Sequence, residues 1–83
     1  MNLLQTDKMY EVLDEVAEER RSQHRKWGEQ DMGPCAWMPI LLEELGEVGT
    51  ALQNDDMANY RDELVQVAAV CVQMVECLDR GEE

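Results

Sequence analysis

Glutamates stand among the apolar residues of two successive segments of this 83-residue chain, and this pattern restricts its fold. In the segment 37–53, apolar residues recur at the spacing of one helical face, and Glu44 falls on that face. In the segment 57–79, Glu63 falls among the apolar residues in the same way. A carboxylate inside a helical bundle is costly unless a cation or a hydrogen-bond donor joins it. We therefore expect these acids to have a common partner.

The acids are placed symmetrically about one predicted turn, which centres on Asp55. Glu47 and Glu63 are each eight residues from Asp55, and Glu44 and Gln66 are each eleven residues from it. In an antiparallel helix pair, residues at equal distance from the turn lie level with each other. At about 1.5 Å per residue the two levels are roughly 4.5 Å apart. The spacing predicts a pocket shared by three carboxylates and one amide.

Hydrophobic periodicity predicts three helices, over about 6–26, 37–53 and 57–79. Phe is absent, and aromatic residues make up only 5% of the chain. The core must therefore be built from Val, Leu, Met and Ala, a mixture that favours helices over strands. We predict an all-α fold with one domain over residues 1–83.

Glycine and proline mark the expected ends of the helices. Gly28 ends the first helix, and the segment 28–36 is a predicted loop, long enough to cover a site. Pro39 suits the first turn of the second helix, where proline needs no amide hydrogen. Thr6 is the expected N-cap of the first helix, and Gly81 is the expected stop of the third.

The third predicted helix is apolar over most of its circumference. A helix of this kind is normally buried on all sides, and two neighbouring helices cannot cover it completely. A domain of this length also has only a marginal core by itself. We therefore expect a three-helix protomer that forms helical bundles by oligomerisation.

Composition argues against several classes of protein. A formal net charge of −12 disfavours a nucleic-acid polymer or an anionic membrane as partner. The three cysteines form no CxxC pair, and His24 is the only histidine, so a zinc site is not expected. No apolar stretch reaches the roughly 18 residues of a membrane span, and no signal pattern begins the chain. An odd cysteine count suits a reducing compartment, so we expect a cytoplasmic protein.

The predicted acidic pocket suggests a divalent cation. Mg²⁺ and Mn²⁺ prefer ligands that are all oxygen, and such ions commonly serve a phosphate substrate. Without a cation, the cluster would raise the pKa of one or more of its carboxyl groups. The alternative is that helices are rich in Glu and that several of these side chains simply point to water.

The ordered set of acids resembles the motif of the MazG-like members of the all-α nucleoside triphosphate pyrophosphohydrolases. That motif is EExxE, an interval, and then ExxD. In this chain residues 43–47 read EELGE and residues 63–66 read ELVQ, with fifteen residues between them. The surrounding sequence at 19–30 and 63–70 is also similar. The resemblance covers about residues 10–80.

The resemblance implies Mg²⁺-dependent hydrolysis of a (d)NTP to a (d)NMP and pyrophosphate, as nucleotide-pool housekeeping. It implies that Glu44, Glu47 and Glu63 ligate Mg²⁺, with Mn²⁺ as a substitute. Glu43 would orient or deprotonate the attacking water. Gln66 stands where the motif has Asp, and its amide oxygen can touch a metal but carries no charge. Family members assemble as dimers or tetramers, so a homodimer or homotetramer is expected.

Candidates for substrate binding lie near the end of the first helix. Arg20, Arg25 and Lys26 belong to the only basic cluster and are predicted to clamp the β and γ phosphates. Alternatively, these cations complement the helix dipole and pair with neighbouring glutamates. Trp27 and Trp37 flank the predicted loop, and either could stack on a nucleobase or close a small core.

Two other classes of function fit the sequence. A catalytically inactive nucleotide- or metal-binding helical module would keep the acidic pocket, with Gln66 marking the lost chemistry. A purely structural helical oligomer would need no cation at all. Stabilisation by Mg²⁺ separates the last class from the others, because a ligand that binds only the folded state raises its stability.

Overall fold

A computed structural model describes the backbone of residues 3–81 and the side chains of residues 7–81. The described chain forms three α-helices, α1 (Leu3–Trp27), α2 (Pro34–Gln53) and α3 (Met57–Asp79). No strand occurs within that range, so the predicted all-α class is confirmed. Over the same residues, each helix is too short or too polar to cross a membrane.

The first helix extends beyond the predicted 6–26 at both ends. It begins at Leu3, so Thr6 lies within the helix and the prediction that Thr6 caps it is wrong. The residues before Thr6 are good helix formers, which lets the helix continue past it. At the other end, Gly28 has a φ of 71°, and its amide donates to the carbonyl of His24 at 2.8 Å. Glycine favours this left-handed conformation, so the predicted break at Gly28 is confirmed.

The second helix begins at Pro34, three residues before the predicted start at Trp37. Gly33 precedes it in extended backbone, and its carbonyl accepts from the amide of Trp37 at 3.2 Å. Pro34 therefore takes the first helical position, where a missing amide hydrogen removes no bond. Pro39 consequently lies inside the helix, which corrects its predicted place in the first turn. It leaves the carbonyl of Cys35 without its helical donor.

A tight turn joins α2 to α3. Asp55 adopts a φ of 55°, the left-handed conformation that closes the turn. The side chain of Asp56 accepts a hydrogen bond from the amide of Asn59 at 3.1 Å and caps α3. Gly81, with a φ of 87°, follows the end of α3. The predicted bounds of α3, 57–79, are therefore confirmed.

The third helix is central to the fold. It packs against both α1 and α2, whereas no Cα atoms of α1 and α2 approach within 8 Å over the described residues. Trp37 of α2 packs with Val70 and Cys77 of α3 in the main buried cluster. Because α1 and α2 stand apart on α3, a cleft lies between them.

Two ion pairs hold α1 on α3. Arg61 donates two hydrogen bonds of 2.7 Å to the carboxylate of Glu15. This pair lowers the pKa of Glu15 and raises the pKa of Arg61. Further along both helices, Arg20 donates to Glu76 at 2.6 Å. Because the paired positions advance together, α1 and α3 run in the same direction, with α2 antiparallel to both.

Candidate metal centre

Three of the predicted metal ligands converge where α2 faces α3. One carboxylate oxygen from each of Glu44, Glu47 and Glu63 lies within 4.8 Å of the others. Glu44 and Glu47 are one turn apart on α2, so they point to the same side of that helix. The tight turn at Asp55 brings Glu63 of α3 level with them. The arrangement follows from the helical rise and the position of the turn.

The surroundings of this cluster favour the neutral form of two carboxyl groups. Partial burial raises the pKa of Glu44, and the charges of Glu47 and Glu43 raise it further. Partial burial also raises the pKa of Glu63, as does a hydrogen bond that protonated Glu63 would donate to Glu47. The Oε2 atoms of Glu44 and Glu63 are shielded from solvent and have no hydrogen-bond partner. A proton or a cation would relieve both conditions.

The oxygens of Glu44, Glu47 and Glu63 are suitable ligands for a hard divalent cation. Ligands about 2.1 Å from a Mg²⁺ ion lie at most about 4.2 Å from one another. The observed spacing of up to 4.8 Å therefore requires only a small closure of the side chains. Acids also gather on protein surfaces without binding an ion, so these residues form a candidate site.

A cleft of about 370 Å³ opens beside the carboxylates, between α1 and α2. Glu44 belongs to both the cluster and the wall of the cleft. The walls bring together six residues singled out from the sequence, namely Lys26, Trp27, Trp37, Glu43, Glu44 and Gln66. The cleft therefore joins the candidate base, one candidate ligand and part of the predicted substrate site.

The predicted clamp of arginines lies elsewhere. Arg20 and Arg25 do not line this cleft but line a depression that they share with His24. Arg25 also lines a second depression, which adjoins the cleft at Gln66. Arg25 pairs with Glu18 at 3.0 Å, which agrees with the alternative interpretation of surface pairing. Arg20 instead pairs with Glu76 of α3. Successive residues of a helix differ by about 100° in direction, so neighbouring cations reach different sides of α1.

The two tryptophans have different environments. Trp37 is 2% exposed and packs against Val70 and Cys77, so it closes the core while its edge lines the cleft. Trp27 is 55% exposed, and the ammonium of Lys26 lies 5.4 Å from the centre of its ring. The ring of Trp27 is therefore open to stacking, whereas the faces of Trp37 are largely occupied.

Sequence reasoning missed the amide side chains of the cleft. Gln23, Gln30 and Gln73 all line it, and Gln73 donates to Gln30 at 3.0 Å. Gln23 is 5% exposed and Gln73 is 2% exposed. A usable signal existed for Gln73, because it lies one helical turn from Val70 and from Cys77 on the buried face. No comparable signal marked Gln23.

Comparison with protein-family models, curated proteins and solved structures found no match to this chain. Over residues 3–81, the structure defines three α-helices with a candidate carboxylate site beside a cleft. The resemblance to MazG-like proteins remains an expectation that rests on the motif.

Proposed function

We propose that this protein is a Mg²⁺-dependent nucleotide pyrophosphohydrolase, which converts a (d)NTP to a (d)NMP and pyrophosphate in the upkeep of nucleotide pools. The observation that carries the proposal is the convergence of Glu44, Glu47 and Glu63 to within 4.8 Å beside a cleft that Glu44 also lines. The motif resemblance supplies the reaction. The raised pKa values of Glu44 and Glu63 are consistent with a site that needs a cation.

In the proposed reaction the three carboxylates hold the divalent cation, and Gln66 offers a neutral oxygen from the same cleft. When bound, Mg²⁺ or Mn²⁺ neutralises charge on the phosphoryl oxygens and lowers the pKa of the attacking water. A chain with a net charge of −12 repels a polyphosphate. The carboxylates therefore bind the substrate only through a bridging cation.

Glu43 is the proposed general base. It precedes Glu44, is exposed, and lines the cleft, so its carboxylate can orient a water molecule and accept its proton. Lys26 is the proposed phosphate contact, because it lines the same cleft as Glu43 and Glu44. Arg20 and Arg25 would have to leave their acidic partners to reach this cleft, so we assign them no phosphate contact.

A nucleotide panel tests the proposal. Purified protein is incubated with each (d)NTP in Mg²⁺ or Mn²⁺, and the release of pyrophosphate is measured. We expect activity on at least one nucleotide and none in EDTA. Glu11→Gln is a matched control, because Glu11 is an exposed acid of α1 outside the cluster. Absence of pyrophosphate with every nucleotide and both metals would contradict the proposal.

The amide at position 66 favours a second candidate function, an inactive nucleotide- or metal-binding module. Replacing the acid of the motif with Gln66 removes one negative charge from the site, which weakens its attraction for a second cation. The module predicts nucleotide binding in calorimetry without any release of pyrophosphate.

We also propose that the functional unit is a homodimer or homotetramer. The chain has an accessible surface of 5902 Å², against about 5,100 Å² expected for a compact monomer of its mass. Large apolar side chains are exposed on α2 and α3, including Leu42, Leu45, Leu52, Val72, Val75 and Leu78.

Two glycines of α2 support close contact between copies. Gly46 and Gly49 lie beside the exposed leucines, and a Cβ atom added at either position meets no atom within 4 Å. Packing within the protomer therefore does not require glycine there. Each glycine costs a helix about 1 kcal/mol relative to alanine. A second copy whose backbone approaches this face closely would account for both glycines.

A further inference from the structure

Two side chains that line the cleft contain polar atoms that are buried and without a partner. Gln23 is 5% exposed, and its Oε1 atom accepts no hydrogen bond. Trp37 is 2% exposed, and its Nε1–H group donates none. Buried polar groups in native proteins nearly always have partners, so each of these atoms needs an explanation.

The neighbouring amides do not supply the missing partners. Gln73 donates to the side chain of Gln30 at 3.0 Å, and the thiol of Cys77 donates to the Gln30 backbone carbonyl at 3.0 Å. These bonds attach the segment between α1 and α2 to α3. Apart from Oε2 of Glu44, which belongs to the candidate metal site, Gln23 and Trp37 carry the unpaired groups on the wall of the cleft.

The two unpaired groups are complementary in kind. Oε1 of Gln23 accepts a hydrogen bond, and Nε1–H of Trp37 donates one. A ligand edge with one N–H donor and one acceptor satisfies both, and every nucleobase has such an edge. A phosphate or a carboxylate offers only acceptors, so it would leave Gln23 unsatisfied. With the Gln23 amide in this orientation, the pair favours a neutral heterocycle over an anion.

We infer that this cleft holds the base of the nucleotide, recognised at its edge by Gln23 and Trp37 and stacked on Trp27; this inference rests on the proposed function. The volume of about 370 Å³ lies at the small end of ligand sites and suits a single base. Trp27 presents an accessible ring on the same wall. Glu43 and Glu44 line the cleft as well, so a bound base lies beside the carboxylates that act on its phosphates.

Nucleosides test this inference without phosphate or metal. Adenosine, guanosine, cytidine and uridine are titrated in EDTA to millimolar concentration, and the indole N–H signals are followed by NMR. The chain has two tryptophans, so Trp27→Phe assigns the remaining signal to Trp37. We expect at least one nucleoside to shift the Trp37 signal, whereas ribose alone leaves it unchanged.

Two variants remove the recognising atoms with little change of shape. We expect Gln23→Leu and Trp37→Phe each to weaken nucleoside binding about tenfold, the value of one hydrogen bond. The melting temperature of free Gln23→Leu stays equal or rises, because an unpartnered buried polar atom is removed. Gln53→Leu is the matched control at an exposed position of α2. A purely structural role for Gln23 predicts the reverse, a lower melting temperature with unchanged affinity.

Equal nucleoside affinity in wild type, Gln23→Leu and Trp37→Phe would overturn the inference, as would an unshifted Trp37 signal with all four nucleosides. Because the titration needs neither metal nor hydrolysis, its result is independent of the pyrophosphate assay. Nucleoside binding without turnover supports the base site and contradicts the proposed enzyme. Turnover without nucleoside binding supports the proposed enzyme and contradicts the base site.

Discussion

Glu47 of α2 and Glu63 of α3 lie with carboxylate oxygens within 4.8 Å of each other, on opposite sides of the turn at Asp55. Burial of its carboxyl group is the main cause that raises the pKa of Glu63, and the neighbouring Glu47 raises it further. Two carboxylates this close repel each other when both are ionised, unless a cation joins them. A divalent cation and pH should therefore both change the stability of the folded protein through this pair.

Mg²⁺ should stabilise the folded protein through the three carboxylates. At a concentration of 100 Kd, a ligand that binds only the folded state adds about 2.7 kcal/mol to the free energy of unfolding. For a domain of this size that corresponds to a rise in Tm of more than about 10 °C. Glu47→Gln and Glu63→Gln should lose most of this rise and all pyrophosphate release.

The control for the metal effect is NaCl at matched ionic strength, since a chain of net charge −12 also gains stability from screening. Thermal melts of wild type and Glu11→Gln should show the same response to Mg²⁺. An equal Mg²⁺ shift in Glu63→Gln would show that the ion acts elsewhere.

In the metal-free protein, the contribution of Glu44 and Glu63 to the free energy of unfolding should fall as pH rises from about 4.5 towards neutrality. The folded-state pKa values of Glu44 and Glu63 lie above the ordinary value of 4.5. The folded state therefore binds these two protons more tightly than the unfolded chain does. Their contribution to the free energy of unfolding is complete below about pH 4.5, and it is lost as pH rises through the folded-state pKa values. Urea unfolding in EDTA should show that Glu63→Gln gains stability over wild type as pH rises.

The pH comparison uses the difference between Glu63→Gln and wild type because other acids act in the opposite sense. The pKa values of Glu15 and Glu18 are lowered by their arginine partners, so those pairs favour folding at higher pH. Their contributions are the same in both proteins and cancel. A difference that does not change with pH would show that Glu63 is not responsible.

Gln66→Asp should strengthen metal binding. The substitution adds a carboxylate one helical turn from Glu63, on the wall of the cleft that Glu44 also lines, which increases the attraction for divalent cations. We expect the Mg²⁺ concentration for half-maximal stabilisation to fall about tenfold. In EDTA the same variant should be less stable than wild type, because one more negative charge joins the cluster. Calorimetry measures the affinity for Mg²⁺, and thermal melts in EDTA measure the metal-free stability. A change of both quantities in the same direction would contradict the charge explanation.

Lys26→Met should raise KM for the nucleotide about tenfold, with a smaller change in kcat. Methionine keeps the apolar stem and removes the charge from the cleft. Arg25→Gln is the comparison, since Arg25 pairs with Glu18 outside the cleft. An equal rise in KM for both variants would show that Arg25 also contacts the substrate.

Gly49→Ala gives opposite results for a monomer and for an oligomer. In a monomer, alanine at this open helical position should raise stability by about 1 kcal/mol. If a second copy packs closely on α2, the added methyl group should instead weaken the assembly. We expect a smaller oligomeric fraction in analytical ultracentrifugation and a Tm that falls on dilution. Gln53→Ala, at an exposed position of α2, should leave the fraction unchanged.

Local rules predicted much of this fold. Gly28 and Gly81 occupy the end positions that their backbone preferences favour, and the bounds of α3 match the periodicity. The start of α2 differed because two prolines compete for the first helical position. Pro34 took it, and the interior of the helix accommodates Pro39 near its N-terminus. Sequence alone does not decide between two such prolines, since each is tolerated early in a helix.

The sequence by itself determined the acidic cluster, because helical rise and one tight turn place Glu44, Glu47 and Glu63 at matching heights. Only the tertiary structure decided which side of α1 faces that cluster. A loop separates α1 from α2, so the rotation of α1 about its axis depends on its packing against α3. That rotation places Lys26 on the wall of the cleft and Arg25 in the neighbouring depressions, although the two residues are adjacent in the chain.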